Sequence, residues 1–250
     1  MGTIKLIALD MDGTLLNEMQ EISSENAEWI QKALDADIMV CFATGRGFQS
    51  ALPYAEQLKL DMPMITVNGG EIWRRPHVLH KRSLMPAATI KKLHEVALRH
   101  EETWFWAYAV EGIFNKERWI EPSDSYDSQH WLKFGYFTED TEMLDRIYKE
   151  VSSWGGMEIT NSSPSNWELN PEGVTKASAL RELCGVLSID MSQVAAMGDS
   201  LNDIAMIREA GLGVAMGNAQ DVVKDAADAV TVTNNEHAVA HLIRDYVLKG

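Results

Sequence analysis

Short apolar runs, each closed by a turn and followed by a helical stripe, set the rhythm of this chain. Lys5-Leu6-Ile7-Ala8-Leu9 predicts a buried strand, because it is short, continuous and bounded by a turn at Gly13. Ile22-Ser23 signals the start of a helix whose Ala27, Ile30 and Leu34 fall at helical spacing. A second buried strand is predicted over 38–43, ending at Thr44-Gly45-Arg46, and the helix after it holds Pro53 in its first turns. A third strand, 63–67, ends at Asn68-Gly69-Gly70. Strands alternating with helices in this way predict a parallel sheet.

The rhythm changes near residue 72. A short hairpin is predicted around Pro76, then a helix from 83–86 to about 100. Strands follow at 103–108, 113–115 and 132–137, then a helix over 140–153 and strands near 157–161 and 166–170. Paired strands with interspersed helices predict an α+β insertion with an antiparallel sheet. From Thr175, a plausible N-cap, the parallel rhythm resumes, with Ala177, Leu180, Leu183 and Leu187 as an apolar stripe. A strand over 193–197, a helix over 202–210, strands at 213–216 and 229–232 and a closing helix over 235–248 complete it. The fold class expected is α/β, a Rossmann-like parallel-sheet core of residues 1–82 and 173–250 interrupted by an α+β cap of residues 83–172.

With 250 residues the chain can bury a large core, and 46% hydrophobic and 24% charged residues are ordinary for a globular protein. A net charge of −15 argues against nucleic-acid and anionic-membrane surfaces, which favour clustered Lys and Arg. An anionic small substrate then needs local cations or a metal to offset the acidic background. Cys41 and Cys184 lie in apolar settings and read as buried, reduced small hydrophobes. With no signal-peptide pattern and no membrane-span window, a cytoplasmic location is expected, and nothing implies an obligate protein partner.

The chemistry starts at Asp10-Met11-Asp12-Gly13-Thr14, at the carboxyl end of the first strand, where open α/β sheets bind ligands. Residues two apart on a strand share a side, so Asp10 and Asp12 address one site if the strand holds through the turn. For phosphate ester hydrolysis, Asp10 can be the nucleophile, forming an aspartyl-phosphate, and Asp12 can protonate the leaving oxygen and later deprotonate water. Mg2+ suits the pair, with Asp199 of Gly198-Asp199-Ser200-Leu201-Asn202-Asp203 as a third oxygen donor. Thr44 and Gly45 offer a hydroxyl and an open backbone N–H to phosphate oxygens at a helix start. Lys176 adds a point charge beside the nucleophile, Asn202 a hydrogen bond to phosphate, and Asp203 support behind the metal.

These four motifs, in this order, resemble the haloacid dehalogenase-like phosphatases, and within them the Cof-type hydrolases with a large C2 cap (subclass IIB). The resemblance covers essentially all 250 residues. It implies a Mg2+ site made by the Asp10 side chain, the Asp12 backbone carbonyl and Asp199, with phosphate held by the Met11 backbone, Thr44, Gly45, Lys176 and Asn202. The expected activity is hydrolysis of a small phosphorylated metabolite such as a sugar phosphate, pyridoxal phosphate or flavin mononucleotide. A phosphomutase uses the same nucleophile, and a non-catalytic metabolite sensor is the alternative from another class. The chain departs from the pattern at Asn235-Glu236-His237-Ala238-Val239, where relatives commonly carry an acidic-glycine pair.

Some residues read two ways. Arg46 either reaches the substrate phosphate or is a solvated or structural residue opening a helix, and Asn68 either faces the crevice or shapes a turn. His237 and His241, four apart, read as ordinary helix histidines. Six of eight tryptophans lie in the expected cap. Trp104, Trp106 and Tyr108 alternate along one strand, and the face they share is expected to pack on the cap helices; the alternative is stacking on an aromatic leaving group.

Overall fold

The computed structural model describes residues 3–120 and 125–249, and they fall into two compact units, Met1–Lys81 with Thr175–Gly250, and Arg82–Val174.

In the first unit the apolar runs become strands β1 (Leu6–Leu9), β2 (Met39–Ala43) and β3 (Met64–Thr66), with helices α1 (Ser24–Asp35) and α2 (Phe48–Gln57) between them. Ser23 caps α1 by accepting the Asn26 N–H. Pro53 lies inside α2, as its sixth residue, in the second turn. β4 (Glu71–Arg75) and β5 (Val78–Arg82) form the hairpin and add to the edge of the same sheet, β4 running antiparallel to β3.

The chain leaves this unit through α3 (Ala87–Arg99), β6 (Trp104–Ala109), β7 (Gly112–Asn115), β8 (Trp131–Phe137), α4 (Thr141–Ser152), β9 (Met157–Thr160) and β10 (Asn166–Pro171). It returns through α5 (Lys176–Leu187), β11 (Val194–Gly198), α6 (Ile204–Glu209), β12 (Leu212–Ala215), α7 (Asp221–Lys224), β13 (Ala229–Val230) and α8 (Ala238–Leu242). The closing helix is broken where a single one was expected. Left-handed His237 (φ 61°) separates a 3-10 turn from α8, and a π turn over Ile243–Val247 follows.

The sheet order of the first unit, β13-β12-β11-β1-β2-β3-β4-β5, puts β1 at the centre with parallel neighbours β2 and β11. Strand alternation divides the core into two layers. Ile7, Leu9, Val40, Phe42 and Met197 pack with α1, α2 and α8, while Leu6, Ala8, Cys41, Ala43 and Ala196 pack with α5. Both cysteines are free and buried in the second layer, and burial pushes the Cys184 thiol up to about 11. Chain order reverses between β1 and β11, one side continuing to β2 and β3 and the other to β12 and β13. That is the switch point at which α/β sheets bind ligands.

The second unit is a five-stranded antiparallel sheet, β7-β6-β8-β10-β9. Both its helices pack on the face carrying Phe105, Ala107, Phe134, Tyr136 and Leu169, and the Tyr136 hydroxyl donates to the Leu93 carbonyl at 2.7 Å. Trp104, Trp106 and Tyr108, expected on that face, lie on the opposite one. The reason is register. Trp106 pairs with Gly135, Tyr108 with Lys133, and Gly135 with Glu168, so the tryptophan face is also the face of a lysine and a glutamate, which apolar helices would leave in a poor environment.

Candidate active site

The carboxyl ends of β1, β2, β3 and β11 carry the residues that the sequence singles out. β1 stops at Leu9, and the chain turns at once, the Leu15 N–H bonding back to the Asp10 carbonyl and the Leu16 N–H to that of Met11. Gly13 (φ 77°) completes the turn and also makes room for the neighbouring strand end. A Cβ there would lie 2.7 Å from the Asp199 carboxylate.

Lys176 is the centre of the cluster. Thr175 caps α5, which fixes the first residue of the helix, and the Lys176 ammonium, fully buried, donates to Asp10 Oδ1 at 2.6 Å and Asp203 Oδ1 at 2.8 Å. Asp203 is held from behind as well, because its Oδ2 accepts the N–H groups of Asp199 (3.0 Å) and Ser200 (3.1 Å). Asp199 accepts the Ser200 hydroxyl at 3.0 Å and the Thr14 hydroxyl at 3.4 Å.

Burial pushes the Asp10 carboxyl well above the usual aspartate range; Lys176 pulls it back, while Asp203 and Asp199 add to the rise. Asp199 is pushed up to about 7, first by burial and then by the charge of Asp203. Burial disfavours the Lys176 ammonium too, but Asp10 and Asp203 outweigh it and hold its pKa above the ordinary lysine value.

Carboxylate oxygens of Asp10, Asp199 and Asp203 lie within 4.8 Å of one another. Such a group, with one ammonium against three carboxylates, suits a hard divalent cation, whose charge would favour the ionised forms that burial opposes. Asp203 already serves Lys176 and two backbone N–H groups, so Asp10 and Asp199 are better placed to offer it oxygens.

The phosphate-side residues are also at strand ends. Thr44 is fully buried and its Oγ1 accepts the Arg46 N–H at 3.1 Å, while half-buried Gly45 follows it. The helix itself begins at Phe48, so Thr44 and Gly45 sit in the loop before it and not on its first turn. Asn202 is buried, its Nδ2 donates to Asn68 Oδ1 at 3.2 Å, and its own Oδ1 is a buried oxygen with no protein partner. Buried orphan polar atoms are uncommon, and an amide with one free end at a strand-end cluster is available to a polar ligand. Asn68 lies in a turn, as one of its readings has it, and its side chain meets Asn202. Val67 and Asn68 are both left-handed (φ 55° and 56°), pinned by the Val67 N–H to the Arg46 carbonyl and the Asn68 N–H to the Thr44 carbonyl. For a β-branched valine that is an uncommon conformation, and it aims Asn68 at Asn202.

Two expected site residues are brought together elsewhere. The exposed Asp12 carboxylate is outside the Lys176 cluster and takes a two-pronged bond from Arg46, Nε to Oδ2 at 2.7 Å and Nη2 to Oδ1 at 2.6 Å. The two-residue alternation that would have put it beside Asp10 ends with the strand at Leu9. Gln20 and Tyr54, which join this pair, carry no signal in the sequence. Ser200 could have been found, since Ser200-x-x-Asp203 has the spacing of a capping box. His237 and His241 are apart from the cluster, His237 bonding Ser23 and His241 lying near Asp245.

Comparison with known proteins identifies the family. The family model for haloacid dehalogenase-like hydrolases matches residues 7–243. The chain belongs to this family. This hydrolase is 47% identical over 245 residues to the 5-amino-6-(5-phospho-D-ribitylamino)uracil phosphatase YcsE of Bacillus subtilis, covering 98% of this chain and 96% of that one. It is 26% identical over 276 residues to the pyridoxal phosphate phosphatase YbhA of Escherichia coli, covering 98% and 100%. Among solved structures, a haloacid dehalogenase-like hydrolase from B. subtilis superposes with a TM-score of 0.87 at 27% identity, covering 97% and 100%. The chain is an enzyme of the phosphatase kind. No helix among the described residues is long and apolar enough to cross a membrane.

Proposed function

We propose that this hydrolase removes phosphate from a small phosphorylated metabolite through a covalent aspartyl-phosphate on Asp10, with Mg2+ as cofactor. The observation that carries the reading is the buried Lys176 ammonium bridging Asp10 and Asp203 beside Asp199, at the switch point of a parallel sheet.

In this reading an Asp10 carboxylate oxygen attacks phosphorus, a P–O bond forms and the bond to the leaving oxygen breaks. Asp12 gives its proton to the departing alkoxide and takes one back from the water that then attacks the acyl phosphate, so free phosphate and the starting enzyme result. Lys176 orients Asp10 and offsets charge gathering on the transferring group. Thr44, the Gly45 and Met11 backbone and Asn202 hold the phosphate oxygens. Asp10, the Asp12 backbone carbonyl and Asp199 hold the metal, with Asp203 behind them. When bound, Mg2+ supplies positive charge that orders the anionic substrate against the nucleophile.

The inserted residues, 83–172, are assigned the choice of leaving group. The 47% identity to a phosphatase named for a ribitylaminouracil phosphate makes that compound the first substrate to test.

Phosphate release is measured from ribitylaminouracil phosphate, pyridoxal phosphate, flavin mononucleotide and sugar phosphates, with Mg2+ and with a chelator. Metal-dependent release, greatest with the heterocyclic polyol phosphate, is expected. Conversion of a sugar phosphate to its isomer without free phosphate would replace hydrolysis by a mutase reaction, and turnover unchanged by chelation would remove the metal.

A further inference from the structure

We propose that Arg46 is the positioning residue for Asp12, fixing the carboxylate that the reading above assigns to proton transfer. The proposal rests on that assignment, and it gives Arg46 a task other than gripping the substrate phosphate.

Asp12 sits on a turn beyond the end of β1, exposed, and without a neighbour its short side chain is free to rotate. Arg46 removes that freedom. A guanidinium meeting both carboxylate oxygens, at 2.7 and 2.6 Å, sets the plane of the acid as well as its place. The guanidinium is itself held on its remaining sides. Nη2 also meets Gln20 Oε1, Nη1 donates to the Tyr54 hydroxyl at 3.4 Å, and the charge lies 5.2 Å from the Tyr54 ring centroid. The Tyr54 hydroxyl in turn donates to the Gln20 carbonyl at 3.1 Å, so α2 and the loop after β1 close around the arginine.

The backbone of Arg46 is fixed just as firmly. Its N–H reaches Thr44 Oγ1 at 3.1 Å, and its carbonyl accepts the N–H of left-handed Val67 at 2.8 Å. One residue therefore joins the acid to the Thr44 loop. With its Nε and both Nη groups engaged by protein, the side chain is committed to Asp12. In the phosphoryl-transfer step, losing such alignment costs rate where a proton must be delivered and little where the leaving group departs unaided.

The test compares Arg46→Ala, Asp12→Asn and the double variant on p-nitrophenyl phosphate, whose leaving group needs no proton, and on an alkyl phosphate, whose leaving group does, following leaving-group release in a single turnover so that the later hydrolysis, in which Asp12 also moves a proton, does not enter. Arg46→Ala is expected to lower the single-turnover rate of alcohol release from the alkyl phosphate about 10- to 100-fold, with KM and the single-turnover rate of p-nitrophenolate release changed less than about threefold. It should add nothing in the Asp12→Asn background. Arg46→Lys, which keeps the charge and loses the fork, should recover part of the loss. Folding is checked by circular dichroism. If Arg46→Ala does not fold, the pair Gln20→Ala and Tyr54→Phe, which loosens the guanidinium and leaves it in place, should give the same pattern at smaller size.

A rise in KM for both substrates, persisting in the Asp12→Asn background, would make Arg46 a phosphate ligand and overturn the proposal. If Asp12→Asn discriminates between leaving groups and Arg46→Ala does not, the positioning role alone falls. If Asp12→Asn itself shows no discrimination, the assignment of Asp12 falls and the proposal with it.

Discussion

Lys176 in the first unit and Lys133 in the inserted one are equally buried, each about 1% exposed, and they keep different company. Lys176 stands among three carboxylates, touching Asp10 and Asp203 with Asp199 in the same cluster. Lys133 meets the Glu168 carboxylate at 2.9 Å and the Tyr108 ring at 4.7 Å. A buried cation matched by an anion and an aromatic face is a packing solution. A buried cation among three acids leaves negative charge over, which adds to the rise that burial already gives the pKa values of Asp10 and Asp199. The difference separates a site arranged for chemistry from an ion pair arranged for structure.

The strongest way to break this contrast is Asp10→Asn. Turnover should fall by at least about 10^3-fold, while the melting temperature holds or rises because burial already opposes the Asp10 charge. Retained phosphate release would take the nucleophile away from Asp10.

Lys133→Met should act on stability. Leaving Glu168 buried without this partner should cost about 3–5 kcal/mol, read by denaturant unfolding, and Lys133→Met with Glu168→Leu should recover most of it. A single-variant loss under about 1 kcal/mol would mean that the pair is not structural.

Gly135→Ala sharpens the picture of the face that these residues share. A Cβ at 135 would lie 2.2 Å from the Trp106 indole, so the substitution should destabilise by about 1–3 kcal/mol, and Trp106→Leu should relieve it in the double variant. Additive losses would show that the indole does not lie across Gly135.

The smallest effect expected is at His94, packed against Trp119 and bonded to the Tyr126 hydroxyl at 2.7 Å. Burial lowers its pKa, so the unfolded chain takes up the proton first as pH falls. The stability it allows is full above the unfolded value of about 6.5 and is lost as pH drops through that value toward the folded one. Urea titrations at pH 7 and 5 should show a steeper loss for the wild type than for His94→Gln; equal losses would count against it.

Much of the first unit was legible because its signals are local. A short apolar run, a turn and a capped helix are fixed within ten residues or so, and Ser23, Thr175 and the strand ends at Asp10, Thr44 and Asp199 appear where such rules put them. The broken closing segment was not legible, because neighbours, not the local run, decide whether a helix continues past a left-handed residue.

By itself the sequence determined which residue types stand at which strand ends, and that Trp104, Trp106 and Tyr108 share one side of β6. Tertiary structure decided the rest. Placing β1 between β2 and β11 brings Lys176 to Asp10 across 166 positions, which no local pattern encodes. Strand alternation says which side chains go together but not which side the helices cover, and the register with Lys133 and Glu168 made that choice. Past Leu9 alternation ends altogether, so Asp12 turns to Arg46, a partner that only the packing of α2 beside the β1 turn could supply.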